Sequence, residues 1–303
     1  MMYDTIIVGG GIAAFGAAVY CGRFQLKTLV LGKSIGGTII LTDDVSNYPG
    51  FKKLSGSDLF EKIKEHANDY KIETKTGRVT KISKTKNGFK VDTAEQHFES
   101  KTLIIATGSE WRKLNVPGEK EFANKGVHYC ALCDGPVYKG KVLGVVGGSD
   151  SAAKEALLLT QYGSKVYIFY RGSKIHPEPV NMRKVEKNPK IEVIPNTNIV
   201  EIKGDKLVRF VVLDNLYKGT KEFKLDGLFI EIGHIPLSDI VKGLGVKLNE
   251  KGEIIIDRAA KTNVEGVYAC GDIVDTVFKQ AITGVAEGTL AAYSAYEYIE
   301  TLT

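Results

Sequence analysis

No apolar run in this 303-residue sequence approaches the roughly eighteen residues that a membrane-spanning helix needs, and no basic leader precedes its first strand-like segment. A soluble, cytoplasmic protein is the expectation. Cysteine occurs only four times, too rarely for a secreted disulfide scaffold in a chain of this length. An excess of one charge sign is also missing. Lys and Arg total 41 against 36 Asp and Glu, so five surplus positive charges are spread too thinly to imply a nucleic-acid partner. The length allows about two domains, each able to bury its own core.

What is present is one pattern used twice: an apolar strand, a glycine-rich turn and an alanine-rich helix. The first copy runs from Thr5 to Val8, through Gly9-Gly10-Gly11, into a segment with Ala14, Ala17, Ala18 and Cys21 on one helical face. The second runs from Val142 to Val146, through Gly147-Gly148-Ser149, into Ala152, Ala156 and Leu159. Leu114 to Gly118, with Pro117, reads as a linker, and Leu228 to Ile232 followed by Gly233-His234-Ile235-Pro236 reads as a strand and a return crossing. The tail carries Gly-Val-Tyr-Ala-Cys-Gly-Asp (266 to 272) and a final helix expected from about Val285. That tail needs a sheet to join, and the first unit is the natural one. An α/β protein is expected, with two Rossmann-like dinucleotide-binding domains, the second inserted into the first. The expected boundaries are 1–111 and 234–303 for the first domain and 112–233 for the second.

Gly9-x-Gly11-x-x-Ala14 between strand and helix fits a dinucleotide fingerprint, in which small residues let a pyrophosphate approach the helix N-terminus. The acid expected about 20 residues later is replaced by Gly32, which disfavours NAD here more than FAD. Thr102 to Gly108 adds an apolar strand ending in Thr107-Gly108, a turn that could pack on a nucleotide or simply close a buried strand. Cys130-x-x-Cys133 can store two electrons as a disulfide. Structural zinc is the competing reading, with His128 as a third ligand, but Cys21 and Cys270 are isolated in apolar segments and the fourth ligand is missing. No metal is therefore expected. Asp134 follows the pair, where it could move a proton or merely open the Asp134-Gly135-Pro136 turn.

Taken together, these residues resemble the low-molecular-weight thioredoxin reductase family almost end to end. Gly36-Gly37-Thr38, Asn47-Tyr48-Pro49-Gly50-Phe51 and Ala106-Thr107-Gly108 resemble its flavin-domain loops, and Gly126 to Gly135 resembles its redox motif. Gly271-Asp272 and Lys279-Gln280-Ala281 resemble its C-terminal flavin site, with Lys279 where Arg is usual. The resemblance implies two three-layer ββα domains, FAD held by Gly9, Gly11, Ile12, Ala13, Ala14 and the loops just named, a homodimer, and a thioredoxin-like protein as oxidant. It further implies that Cys133 faces the flavin, that Cys130 attacks the partner disulfide and that Asp134 is the acid/base.

The second unit departs from the pattern. NADPH or NADH would rest on Gly147, Gly148, Asp150, Ser151, Ala152 and Arg171. Ser149 stands in place of a third glycine, and of the basic cluster that holds a 2'-phosphate in relatives only Arg171 is present. Inefficient use of NADPH is expected, which makes ferredoxin or a deazaflavin an alternative donor. Outside enzymes, the competing reading is a flavin-bound redox sensor.

Overall fold

The computed structural model describes residues 2–42 and 45–302. Its backbone separates into two compact units, Met1–Glu110 with Ile235–Thr303, and Trp111–His234.

The first unit is built on strands β1 (Met2–Val8), β2 (Thr28–Gly32), β3 (Glu73–Thr76), β4 (Val79–Thr85), β5 (Gly88–Thr93) and β6 (His97–Ile105), with helices α1 (Ile12–Arg23) and α2 (Gly56–Asp69). The strand order is β3-β2-β1-β6-β5-β4. The strands at its centre are continuous apolar runs, Ile6 to Val8, Leu29 to Leu31 and Leu103 to Ile105, all buried. Strands covered on both faces need no polar alternation, and each such side chain contributes about 1.5 to 3 kcal/mol through burial. The tail joins this sheet, because Val267–Ala269 pairs in parallel with the C-terminal half of β6.

α1 is more deeply set than a one-faced helix. Every residue from Ala13 to Val19 is buried, because the last helix of the chain, Ala281–Glu300, packs closely along it. That approach depends on missing side chains: a Cβ on Gly288 would lie 2.4 Å from the Ala13 carbonyl oxygen. The last helix starts at Ala281, four residues before the expected Val285. Gln280 and Thr283 form a reciprocal capping box there, and Gln lies outside the usual set of capping residues that a sequence reading looks for.

The second unit places α3 (Ala131–Asp134), α4 (Asp150–Leu159) and α5 (Pro179–Lys187) with strands β8 (Val127–His128), β9 (Val142–Val146), β10 (Lys165–Phe169), β11 (Ile191–Ile194), β12 (Ile199–Gly204), β13 (Val208–Tyr217), β14 (Thr220–Lys224) and β15 (Gly227–Ile230), while β7 (Ser109–Trp111) and β16 (His234–Pro236) straddle its two boundaries. β7 and β16, which carry the two crossings between units, pair with each other. A five-stranded sheet, β11-β10-β9-β15-β8, is parallel throughout, and β12-β13-β14 form a separate antiparallel sheet. α4 buries Ala152, Ala153, Ala156 and Leu159. The strand expected over Leu228 to Ile232 ends at Ile230, and Cys270 lies one residue past the end of its strand. Among the described residues no helix is long and apolar enough to cross a membrane.

Candidate functional site

In the first unit three glycine-bearing segments meet at the N-terminus of α1. A Cβ on Gly9 would sit 2.0 Å from the Ala106 carbonyl oxygen, and one on Gly37 would sit 2.8 Å from Gly11 Cα. Gly36 N donates to Gly10 O at 2.8 Å. Gly9 and Gly37 are therefore demanded by the protein's own packing, whereas Gly11 is not: a Cβ there would meet only Gly37 Cα, at 3.7 Å. Its smallness keeps open the space in front of the helix. Gly11 supplies no side-chain cap and the first turn of α1 holds no acid, so the amides at this positive helix end are available to an anion. Such a cradle fits the pyrophosphate of a dinucleotide.

The remaining residues expected at a flavin lie in the same unit. A Cβ on Gly271 would lie 2.9 Å from that of Ala13. Thr107 Oγ1 donates to Leu237 O at 3.0 Å, and Asn47 Nδ2 donates to Gln280 Oε1 at 2.8 Å. Lys279 is turned to its own loop: its ammonium donates to the carbonyls of Asp272 and Val274 and pairs with Glu253 at 3.0 Å. Thr38 lies in the short helical turn Gly37–Leu41, and Ala281 opens the last helix.

The second glycine-rich turn is built differently. The first turn of α4 carries Asp150, whose Oδ1 accepts from Glu178 N at 2.9 Å and from Asn181 Nδ2 at 2.8 Å, and whose Oδ2 pairs with Lys154 at 3.0 Å. Segment 170–178 is tied to the turn as well. His176 N donates to Gly148 O at 2.7 Å, and a Cβ on Gly148 would lie 2.4 Å from the Tyr170 ring. Ser149 Oγ lies 2.9 Å from Ser151 Oγ, Ala152 is buried, and Arg171 is exposed. The first turn of α4 thus carries a carboxylate, bonded to Glu178, Asn181 and Lys154, where the first turn of α1 carries none.

Cys130 and Cys133 form a disulfide at the head of α3, with their Cα atoms 5.4 Å apart. Cys130 is the N-cap residue, and its Sγ accepts from Cys133 N at 3.1 Å. Cys130 is 8% exposed, whereas Cys133 is exposed. Asp134, half-buried, brings Oδ2 within 3.0 Å of His128 Nδ1, close enough to pair but off the ring's N–H direction. His128 Nε2 lies 2.7 Å from the Tyr138 hydroxyl, and burial lowers the ring's proton affinity. This histidine is committed to its neighbours. Cys21 and Cys270 are fully buried, and burial pushes both thiols up, Cys21 to about 12.

Two carboxyls that sequence reasoning missed stand behind the redox helix. Glu155 of α4 accepts the Ala131 amide at 2.6 Å, and Glu231, 5% exposed, follows β15. Burial raises Glu231 to about 8, helped by the charge of Glu155, while a hydrogen bond from Ser151 opposes the rise. Burial likewise raises the half-buried Glu155 to about 7, against the Ala131 bond. The visible sequence signal was an acid inside the apolar Leu228 to Ile232. A carboxyl whose folded pKa is raised costs no stability below its unfolded pKa and destabilises progressively as pH rises through the folded value. Glu231→Gln is therefore expected to melt about 5 °C above the wild type at pH 9 and level with it at pH 5. Thermal unfolding at both pH values checks this, and an equal melting point at pH 9 would refute it.

One dinucleotide cradle and a second such fold bearing a redox disulfide define a flavoprotein-type disulfide oxidoreductase. The family model described as pyridine nucleotide-disulphide oxidoreductase matches residues 3–288, and the chain belongs to that family. It is 39% identical to the thioredoxin reductase of Bacillus subtilis (strain 168) over 304 residues, covering 99% of this chain and 96% of that protein. The crystal structure of Lactococcus lactis thioredoxin reductase superposes with a TM-score of 0.95 at 37% identity, with 99% of each chain covered. A ferredoxin-flavin thioredoxin reductase from Clostridium acetobutylicum is similar at a TM-score of 0.55 and 31% identity, again over 99% of each chain. Within the family, the chain is one of the low-molecular-weight thioredoxin reductases.

Proposed function

We propose that this chain, as a homodimer, reduces the disulfide of a thioredoxin-like protein with electrons that reach Cys130 and Cys133 from FAD held in the first unit. The observation that carries this reading is the Cys130–Cys133 disulfide at the head of a short helix, with one cysteine exposed. FAD, when bound, supplies the electron pair that opens the disulfide. Gly9, Gly11 and the first turn of α1 would hold its pyrophosphate, and residues 36–38, 106–108 and 271–281 would contact the rest of it.

Once opened, the pair works by exchange: one thiolate attacks the partner's disulfide, and the other resolves the mixed disulfide and restores the Cys130–Cys133 bond. The resemblance assigns the attack to Cys130. Exposure favours Cys133 as the sulfur a partner reaches, with Cys130 resolving from its buried N-cap position. Asp134, next in the chain to Cys133 and partly exposed, would return the proton that the departing thiolate of the partner takes up.

The reading is tested by reconstituting the protein with FAD and following steady-state reduction of a thioredoxin under anaerobic conditions. A protein that binds FAD and whose reduced dithiol fails to reduce any thioredoxin disulfide would favour the redox-sensor reading instead. Gly11→Leu supplies a sharper check on the cofactor. Because a Cβ at residue 11 has room in the protein itself, the variant is expected to stay folded yet to lose FAD affinity by roughly 100-fold or more, the equivalent of about 3 kcal/mol. Circular dichroism and flavin absorbance read the two halves of that expectation. Retention of yellow colour would place the pyrophosphate elsewhere.

A further inference from the structure

We propose that Glu155 is a positioning residue of the redox centre and that Glu155 and Glu231 together take up a proton from solvent when the Cys130–Cys133 disulfide is reduced. The inference deepens the disulfide-reductase reading and rests on it.

Glu155 Oε2 holds the Ala131 amide at 2.6 Å, and that amide is joined directly to the carbonyl carbon of Cys130. The same helix head directs the Cys133 amide at Cys130 Sγ, at 3.1 Å. A carboxylate and a redox sulfur therefore share the amides of one short turn. Glu231 lies behind Glu155, 5% exposed, and among the described residues neither carboxyl has a cation within ion-pair distance. Two acids without a cation in such a place cannot both stay ionised cheaply, so they titrate as a unit above the ordinary carboxyl range.

The other titratable groups around them are Asp134 and the cysteine pair on α3, His128 on β8, Tyr138, and Asp150 with Lys154 on α4, which pair with each other. α5 turns only Asn181 and Val185 inward, and β9, β10 and β15 present Leu143, Val145, Ile168 and Phe229. Burial lowers the proton affinity of His128. Over the pH range 6 to 9 the carboxyl pair is thus the local group that can answer a change in charge at the sulfurs.

Reduction breaks the Cys130–Cys133 bond with two electrons from the reduced flavin or from a dithiol. One sulfur takes a proton and becomes a thiol, and the other is left as a thiolate. The new negative charge raises the proton affinity of the Glu155 and Glu231 pair, which binds a second proton from solvent. Reoxidation by a disulfide returns both protons, so atoms and charge balance over the cycle.

The test equilibrates the FAD-loaded protein anaerobically with dithiothreitol at graded ratios of its reduced and oxidised forms. The dithiol fraction of Cys130 and Cys133 is counted by alkylation and mass spectrometry, at pH values from 6 to 9. One proton taken up changes an equilibrium constant about tenfold per pH unit inside the window that it spans. Relative to the wild type, Glu155→Gln and Glu231→Gln are each expected to favour the dithiol about tenfold at pH 8.5, with the difference vanishing near pH 6. Ratios equal to the wild type at every pH would overturn the inference. An offset independent of pH would also overturn it, since Glu155 would then only anchor the helix. A pair that dithiothreitol cannot reduce would defeat the redox reading together with this one, whereas a reducible pair with pH-independent variants would defeat this one alone.

Discussion

Serine in place of either Cys130 or Cys133 is expected to lower turnover with a thioredoxin-like disulfide by roughly 1,000-fold or more. An attacking and a resolving sulfur act as one unit, so losing either costs nearly as much as losing both. Cys21 and Cys270 cannot substitute, being fully buried with their thiols pushed up. The two variants are expected to differ in what they trap. Cys130→Ser keeps the exposed Cys133 and should hold a partner as a stable mixed disulfide. It should also add a long-wavelength flavin absorption from the Cys133 thiolate. Cys133→Ser leaves only the buried sulfur and should do neither. Non-reducing electrophoresis and absorption spectra read the difference. Trapping by Cys133→Ser instead would reassign the attacking sulfur, equal trapping by both would overturn the assignment, and turnover above about a tenth of wild type in either would remove the pair from catalysis.

NADPH is expected to reduce the flavin poorly, with binding weaker by roughly 10- to 100-fold than a complete phosphate clamp would give. A 2'-phosphate calls for several cationic donors, each worth about 1.5 to 3 kcal/mol as a charge-assisted bond. Only Arg171 and Lys174 follow β10, both exposed. The structure adds a second obstacle. Asp150 places a carboxylate in the first turn of α4, where a pyrophosphate would need the positive helix end. NADH meets the same carboxylate. Ser149→Gly combined with Asp150→Asn should improve reduction by NADPH several-fold, since Asn keeps an acceptor for Glu178 N while removing the charge. Anaerobic stopped-flow bleaching of the flavin measures both expectations. Rapid bleaching of the unmodified protein by micromolar NADPH would refute the first. Reduced ferredoxin is the comparison donor.

The α/β class, the two strand, glycine-turn and helix patterns and the Cys130-x-x-Cys133 spacing were determined by the sequence itself, because each is a relation among residues a few positions apart. Apolar runs such as Leu103 to Ile105 announce strands covered on both faces, and Gly9 to Ala14 announces a strand-to-helix turn built on small residues. The start of the last helix was local too, yet it was missed because Gln280 is not a usual cap. Tertiary structure alone decided the rest. It determined that Gly11 is spared by the protein's own packing while Gly9 and Gly37 are not, and that α1 presents a bare helix end where α4 presents Asp150. It also buried Cys130, exposed Cys133 and set Glu155 against Ala131, 24 positions away, with Glu231 behind it. Burial and proton affinity are properties of everything that surrounds a group, and those surroundings come from segments distant in the chain, so no reading of neighbours along the sequence contains them.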